Sequence, residues 1–181
     1  MDITLKEKYN TEVKSKLMKE LGITNPMAVP HIIKIVVNVG AGEAVSNKNV
    51  IGHVEEQLTL ITGQKPIVTK ARKSISAFKI RQGFPIGVKV TLRGQKMYEF
   101  LEKIIRIVMP RFRDFRGITH TSVDQHGNLN LGFTEQTLFP EIEFDKIDKI
   151  RGLEVTVVTN ARNHEKGYKL FEELGIPFKK V

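Results

Sequence analysis

The side chains best suited to binding chemistry in this sequence are the cations of residues 57–98. This segment holds nine Lys or Arg residues and no Asp or Glu, whereas the other 139 residues carry 20 of each sign, so the net charge of +9 comes from less than a quarter of the chain. A solvated charged face, the plain alternative, normally mixes its signs. The segregation therefore predicts a surface that binds a polyanion. The cations are Lys65, Lys70, Arg72, Lys73, Lys79, Arg81, Lys89, Arg93 and Lys96.

The residue types that catalyse reactions or bind metals do not form a recognisable site. The five histidines are scattered, and no two have the i, i+4 spacing of a metal-binding helix. The chain has no cysteine, which excludes cysteine-ligated zinc, disulfides and thiolate nucleophiles. Five acids cluster at residues 135–148 among apolar residues, a pattern more typical of a solvated loop or a docking surface than of acid–base catalysis. We therefore expect no enzyme activity, no metal and no cofactor.

One glycine-rich turn has to be considered as a possible nucleotide-binding loop. Gly40-Ala41-Gly42 follows a predicted strand and precedes a predicted helix, as in a dinucleotide-binding loop. The third glycine of that fingerprint would stand at position 45, where Val45 opposes the close packing that the loop needs. A tight strand-to-helix turn is the simpler interpretation.

Length and hydropathy predict one domain over residues 1–181, with an N-terminal helix at 1–22 that packs on an α+β body. No apolar run approaches about 18 residues, and the N-terminus lacks the order of a signal peptide. A cytoplasmic protein is the resulting expectation.

Hydrophobic periodicity predicts an α+β fold, with a mostly antiparallel sheet and helices packed on one face. Helices are predicted at residues 3–21, 47–63, 94–109 and 163–174, and strands at 33–39, 64–70, 86–92, 129–133 and 153–159. Residues 71–85 break the alternation and read as a long loop or a loosely paired hairpin. The face of the sheet opposite the apolar residues is basic and rich in amides, which suits nucleic acid. Its members are Lys34, Asn38, Lys89, Thr91, Arg93, Asn128 and Asn130.

Four motifs make the chain resemble a known family. They are Lys34–Gly40 (KIVVNVG), Thr62–Pro66 (TGQKP), Ala71–Gly83 (ARKSISAFKIRQG) and Gly87–Gly94 (GVKVTLRG). With these motifs the chain resembles, nearly end to end, the bacterial form of the large-subunit ribosomal protein L-five family, which binds 5S rRNA in the central protuberance.

The resemblance implies partners and contacts. Positions matching Asn38, Gln64 and Thr91 sit at the 5S rRNA contact in that family, and the loop matching residues 72–83 reaches the elbow of the P-site tRNA. The family also touches 23S rRNA and neighbouring 5S-binding ribosomal proteins, and it bridges to small-subunit protein S-thirteen, a basic partner that residues 135–148 would suit. The expected 5S rRNA site is Lys34, Asn38, Gln64, Lys65, Lys89, Thr91 and Arg93, and the expected tRNA-contacting residues are Arg72, Lys73, Ser74, Lys79 and Arg81.

Two other classes of function compete with this interpretation. A nucleotide-dependent or RNA-modifying enzyme would use Gly40-Ala41-Gly42, and Val45 counts against it. A peripheral membrane protein would place its cations on an amphipathic helix, whereas here they fall on a strand and a loop. We expect that loop to be mobile in the free protein, since only Ile75, Phe78, Ile80 and Phe84 could anchor it.

Overall fold

The computed structural model describes residues 3–47, 49–112 and 115–179, so the first two residues of the expected N-terminal helix lie outside it. A five-stranded sheet has the order β2-β3-β1-β5-β4. The strands are β1 (Ile32–Gly40), β2 (Ile67–Lys70), β3 (Pro85–Leu92), β4 (Leu129–Phe133) and β5 (Leu153–Thr159). The helices are α1 (Leu5–Lys8), which continues through a π-helical turn (Tyr9–Val13) into α2 (Lys14–Glu20), then α3 (Asn49–Thr62), α4 (Gly94–Lys103) and α5 (His164–Leu174).

The sheet is antiparallel, which confirms the expected α+β class. β2 pairs with β3 in a register that sets Ile67 opposite Lys89. At the other end of β3, Ala41 N donates to Ile86 O at 2.9 Å, so the end of β1 meets the start of β3.

The chain divides into two compact units. Unit 1 comprises residues 1–35, 93–131 and 156–181, and unit 2 comprises residues 36–92 and 132–155. The single domain expected from the sequence stays a prediction.

Within unit 1 the N-terminal helical segment packs against α4 and α5. Leu17 and Val13 are buried, and Tyr9 donates its hydroxyl hydrogen to Pro30 O at 2.9 Å. Burial, with a smaller contribution from Tyr98, raises the pKa of Tyr9 to about 12.

Within unit 2 the apolar stripe of α3 covers the sheet. Val54, Leu58 and Ile61 are almost completely buried, as are Val88 and Val90 on β3. Full burial of a side chain the size of leucine contributes about 1.5–3 kcal/mol, so this face contributes substantially to the stability of the unit.

Two details of the strands differ from the expected pattern. Ile33 is 40% exposed while Ile32 is buried. The buried residues are even-numbered at Ile32 and odd-numbered from Ile35 onward, so the alternation shifts by one position between them. β2 begins at Ile67 rather than Gln64, since Pro66 has no N–H to give to a ladder.

The close approach of α5 to Gly127 gives a test of the packing in unit 1. A Cβ atom on Gly167 would lie 2.6 Å from Gly127 O, whereas one on Gly52 of α3 would meet no atom within 4 Å. We expect Gly167→Ala to lower the free energy of unfolding by about 1–3 kcal/mol, because main chain would have to move. The control Gly52→Ala should raise it by up to about 1 kcal/mol through helix propensity. Urea denaturation measures both, and equal effects would contradict the close contact.

Candidate nucleic-acid interface

Lys89 and Thr91 lie on the face of β3 that α3 does not cover. They alternate with Val88, Val90 and Leu92, which are buried. Ile67 stands directly opposite Lys89 on β2 and therefore shares its face. It is 66% exposed, an unusual position for a large aliphatic side chain on a strand.

Asn38 belongs to the same face of unit 2. The hydrogen bond from Ala41 N to Ile86 O sets the register of β1 against β3, and a Cβ on Gly87 would lie 3.7 Å from Gly40 Cα, in agreement with that register. Counted inward from these contacts, Asn38 falls beside Lys89. Asn38, Lys89 and Ile67 thus form a row across three neighbouring strands, which we call the open-face row.

Gln64 joins this surface through its side chain. Its Nε2 donates to Thr91 O at 3.1 Å, so the structure brings together two of the three residues expected at the 5S rRNA contact. Lys65 follows with an 84% exposed side chain and a 4.0 Å contact to Glu55. A surface pair of that length stabilises little, so Lys65 stays able to bind an anion.

The other expected residues belong to unit 1. Lys34 is half-buried on β1, and Arg93 is exposed immediately before α4. Asn128 accepts from Thr159 N at 3.0 Å and donates to Asp124, and Asn130 accepts from Thr156 Oγ1 at 2.9 Å. Both amides serve hydrogen bonds inside unit 1, so we leave them out of the interface.

Residues 71–85 form a hydrogen-bonded hairpin, the second of the two expected alternatives. Ala71 N donates to Phe84 O at 2.8 Å and Gly83 N donates to Ala71 O at 2.9 Å, which closes the base. Nearer the tip, Ile75 and Ile80 exchange main-chain hydrogen bonds of 2.9 and 3.1 Å. Sequence reasoning could not choose this pairing because the hairpin lacks an alternating apolar face.

The hairpin exposes all five residues expected to contact tRNA. Ser74 also accepts from Gln82 N at 3.0 Å, so its hydroxyl helps to hold the two arms together. Ile75 and Phe78, two of the four expected anchors, are exposed, and Phe78 is 69% exposed. Only Ile80 and Phe84 are half-buried, so the tip carries apolar surface among its cations.

The acidic segment at residues 135–148 is partly neutralised by neighbours that the sequence did not reveal. Arg151 donates to both carboxylate oxygens of Asp148, at 2.7 and 2.8 Å. These hydrogen bonds lower the pKa of Asp148 to about 2. Glu143 and Asp145 are exposed.

Nothing in the described part of the chain suggests a metal centre. No cluster of three or more His, Cys, Asp or Glu residues there could hold an ion. His120 stacks on Tyr168 with ring centroids 4.7 Å apart. Gly42–Val45 forms a 3-10 turn between β1 and α3, as the simpler interpretation of the glycines expected. No helix among the described residues is long and apolar enough to cross a membrane.

The contact between Gln64 and Thr91 yields a stability test. Gln64→Ala should lower the free energy of unfolding by about 1 kcal/mol, since it leaves the Thr91 carbonyl without this donor. Thr91→Ala is the matched control, because the acceptor is main chain and survives the substitution. Chemical denaturation separates the two variants. If both cost the same, the hydrogen bond contributes nothing.

Comparison with known families accounts for most of the chain. The family model for ribosomal protein L5 matches residues 25–81, and the model for the ribosomal L5P family C-terminus matches residues 85–178.

Complete relatives give the same result. The chain is 54% identical over 179 residues to large ribosomal subunit protein uL5 of an Anaeromyxobacter species, and equally to that of Anaeromyxobacter dehalogenans. Each alignment covers 99% of this chain and 99% of the relative. The chain therefore belongs to the ribosomal protein L5 family, whose members are structural constituents of the large ribosomal subunit.

Proposed function

We propose that this constituent of the large subunit binds 5S rRNA through the open-face row, Thr91 and Gln64, and helps to attach it to 23S rRNA. The supporting observation is that two neighbouring strands of unit 2, β1 and β3, present an amide, a hydroxyl and an ammonium group on one face, to which β2 adds the exposed Ile67. Lys65 flanks this face, and residues 57–98, which supply most of its side chains, contain no acid. Lys34 and Arg93, the other residues expected from the resemblance, are proposed as RNA contacts of unit 1.

The chemistry of the face fits RNA in particular. Lys89 suits a phosphate, while the Asn38 amide and the Thr91 hydroxyl can bond base edges and ribose 2′-hydroxyls. Ile67 adds an apolar side chain that can pack on a sugar or a base. These contacts combine non-specific attraction with discrimination of RNA structure.

Competition binding tests the proposal. The protein should shift 5S rRNA at lower concentration than tRNA or a random RNA of equal length. Asn38→Ala and Thr91→Ala should each weaken 5S rRNA binding by about 5- to 100-fold, the range expected for 1–3 kcal/mol of specific contact. Lys89→Ala should reduce the salt slope of binding by about 1.

The control is Lys166→Ala, which removes one exposed cation from α5 in unit 1. It should bind 5S rRNA nearly as the unchanged protein does. Equal affinity for the three RNAs, or equal loss in Lys166→Ala and Lys89→Ala, would refute the site.

We further propose that the hairpin contacts the P-site tRNA on the assembled ribosome. Its exposed cations and the exposed Phe78 at its tip support this proposal. The hydrogen bonds of Ala71 that close its base lie outside residues 73–81, so the base does not depend on the tip. The tip can therefore act separately from the open-face row.

Deletion of residues 73–81 tests this division. We expect 5S rRNA binding to stay within a few-fold of the intact protein, because Ala71, Gly83 and Phe84 can still close the shortened turn. Translation by ribosomes carrying the variant should be impaired. Loss of 5S rRNA binding would instead assign the hairpin to the primary site.

We also propose that residues 135–148 contact small-subunit protein S-thirteen. The exposed Glu143 and Asp145 suit a basic partner, and Phe144 between them is 72% exposed.

A further inference from the structure

Gln136 is a buried polar residue for which the proposed RNA contacts give no reason. It lies just after β4, begins the 3-10 turn Gln136–Leu138, and is only 3% exposed. A buried amide destabilises a protein unless both its ends are hydrogen-bonded. Here both ends are used, since Nε2 donates to Lys149 O at 2.6 Å and Oε1 accepts from Arg151 N.

With these two hydrogen bonds the Gln136 amide takes the place of the main chain of a neighbouring strand. In an extended chain, the carbonyl of one residue and the N–H two residues later can face the same way, and a primary amide offers the matching donor and acceptor. Gln136 therefore holds the two ends of residues 137–150 together, just beyond the paired strands β4 and β5. We call this pair of hydrogen bonds the amide clamp.

Other contacts in unit 2 anchor the same segment. Phe139 is completely buried and meets the Phe133 ring edge-on at 5.7 Å. Lys149 Nζ lies 2.6 Å from a carboxylate oxygen of Glu43, and the buried Arg151 guanidinium holds Asp148. These contacts fix the ends of the segment and leave its middle at the surface.

The middle of the segment presents a surface suited to a protein partner. Phe144 is exposed between Glu143 and Asp145 in the sequence, and Ile150, at the end of the segment, is exposed as well. A groove of about 200 Å³ lies between the segment and α3. Leu60, Ile142 and Ile147 line it together with the carboxylates of Glu56, Glu141 and Glu143. Apolar residues edged by carboxylates match a basic segment with apolar side chains of its own.

We propose that Gln136 is the positioning residue that holds residues 137–150 ready to dock such a basic protein segment. The inference rests on the proposed small-subunit contact for its partner, and on the amide clamp for its geometry. A loop already ordered before binding loses less conformational entropy when it binds. Without the clamp, the same side chains would bind only after the segment had been ordered.

Hydrogen exchange of the full-length protein tests the clamp residue by residue. Gln136→Met keeps the length of the side chain and removes both hydrogen bonds, so amides of residues 137–151 should exchange about tenfold faster. Gln136→Glu keeps an acceptor for Arg151 N and loses the donor to Lys149 O at neutral pH. The Arg151 amide should then stay protected in Gln136→Glu while losing protection in Gln136→Met.

The control is Gln82→Met, which alters an exposed glutamine of the hairpin, outside the clamp and the groove. Its exchange in residues 137–151 should match that of the unchanged protein. If Gln136→Met does not fold, Gln136→Glu alone provides the test. In that variant the Arg151 amide should stay protected while the rest of the segment exchanges faster. Unchanged exchange in both Gln136 variants would overturn the clamp.

Subunit association separates the clamp from the proposed contact. Large subunits that carry a Gln136 variant should associate with small subunits several-fold more weakly, while 5S rRNA binding stays within twofold. Faster exchange with normal association would leave the clamp standing and refute the small-subunit contact. Weaker association with unchanged exchange would refute the clamp and leave that contact standing.

Discussion

Burial of aliphatic side chains from β1 and β3 beneath α3 is the constraint on which the rest of unit 2 depends. Because strand side chains alternate, burial of Val37, Val39, Val88 and Val90 fixes the opposite face at the same time. A slip of one residue in β3 would bury Lys89, and an unpaired buried ammonium is far more costly than any single aliphatic contact is favourable. The hydrophobic layer therefore aligns the polar groups of the proposed RNA-binding face on the opposite side of the strands.

Charge serves two separate purposes in unit 2. Glu43, Asp148, Lys149 and Arg151 compensate one another within 4 Å, and this network holds the chain in place. The cations on the open face and the hairpin come instead from a stretch of sequence that contains no acid. An ion pair within the fold stabilises the structure and produces little field at a distance. A cation without a nearby carboxylate can instead attract an anionic partner.

Periodic features of the fold could be predicted from the sequence, and non-periodic ones could not. The spacing of apolar residues predicts the buried stripe of α3 and the alternation of β3. It also predicts which faces of their strands Lys89 and Asn38 occupy. The hydrogen bonds from Gln64 to Thr91 and from Gln136 to Lys149 join a side chain to main chain that is distant in the sequence. Such bonds produce no periodic pattern of residues from which they could be predicted. Ile67 was missed for the opposite reason, since an isoleucine on a strand is ordinarily assigned to the core. The family motifs supplied the expected RNA contacts, which spacing alone would not have singled out.

The position of β2 at the edge of the sheet bears on the protein before it meets its RNA. An unpaired edge offers main-chain hydrogen bonds to any extended chain, including another copy of this protein. β2 has only four residues, with Lys65 just before it and Lys70 at its end, both exposed. Two copies aligned along this edge would bring like charges together at both ends of a short ladder. Lysines proposed to attract a polyanion would thus also oppose self-association before the chain is assembled into the subunit.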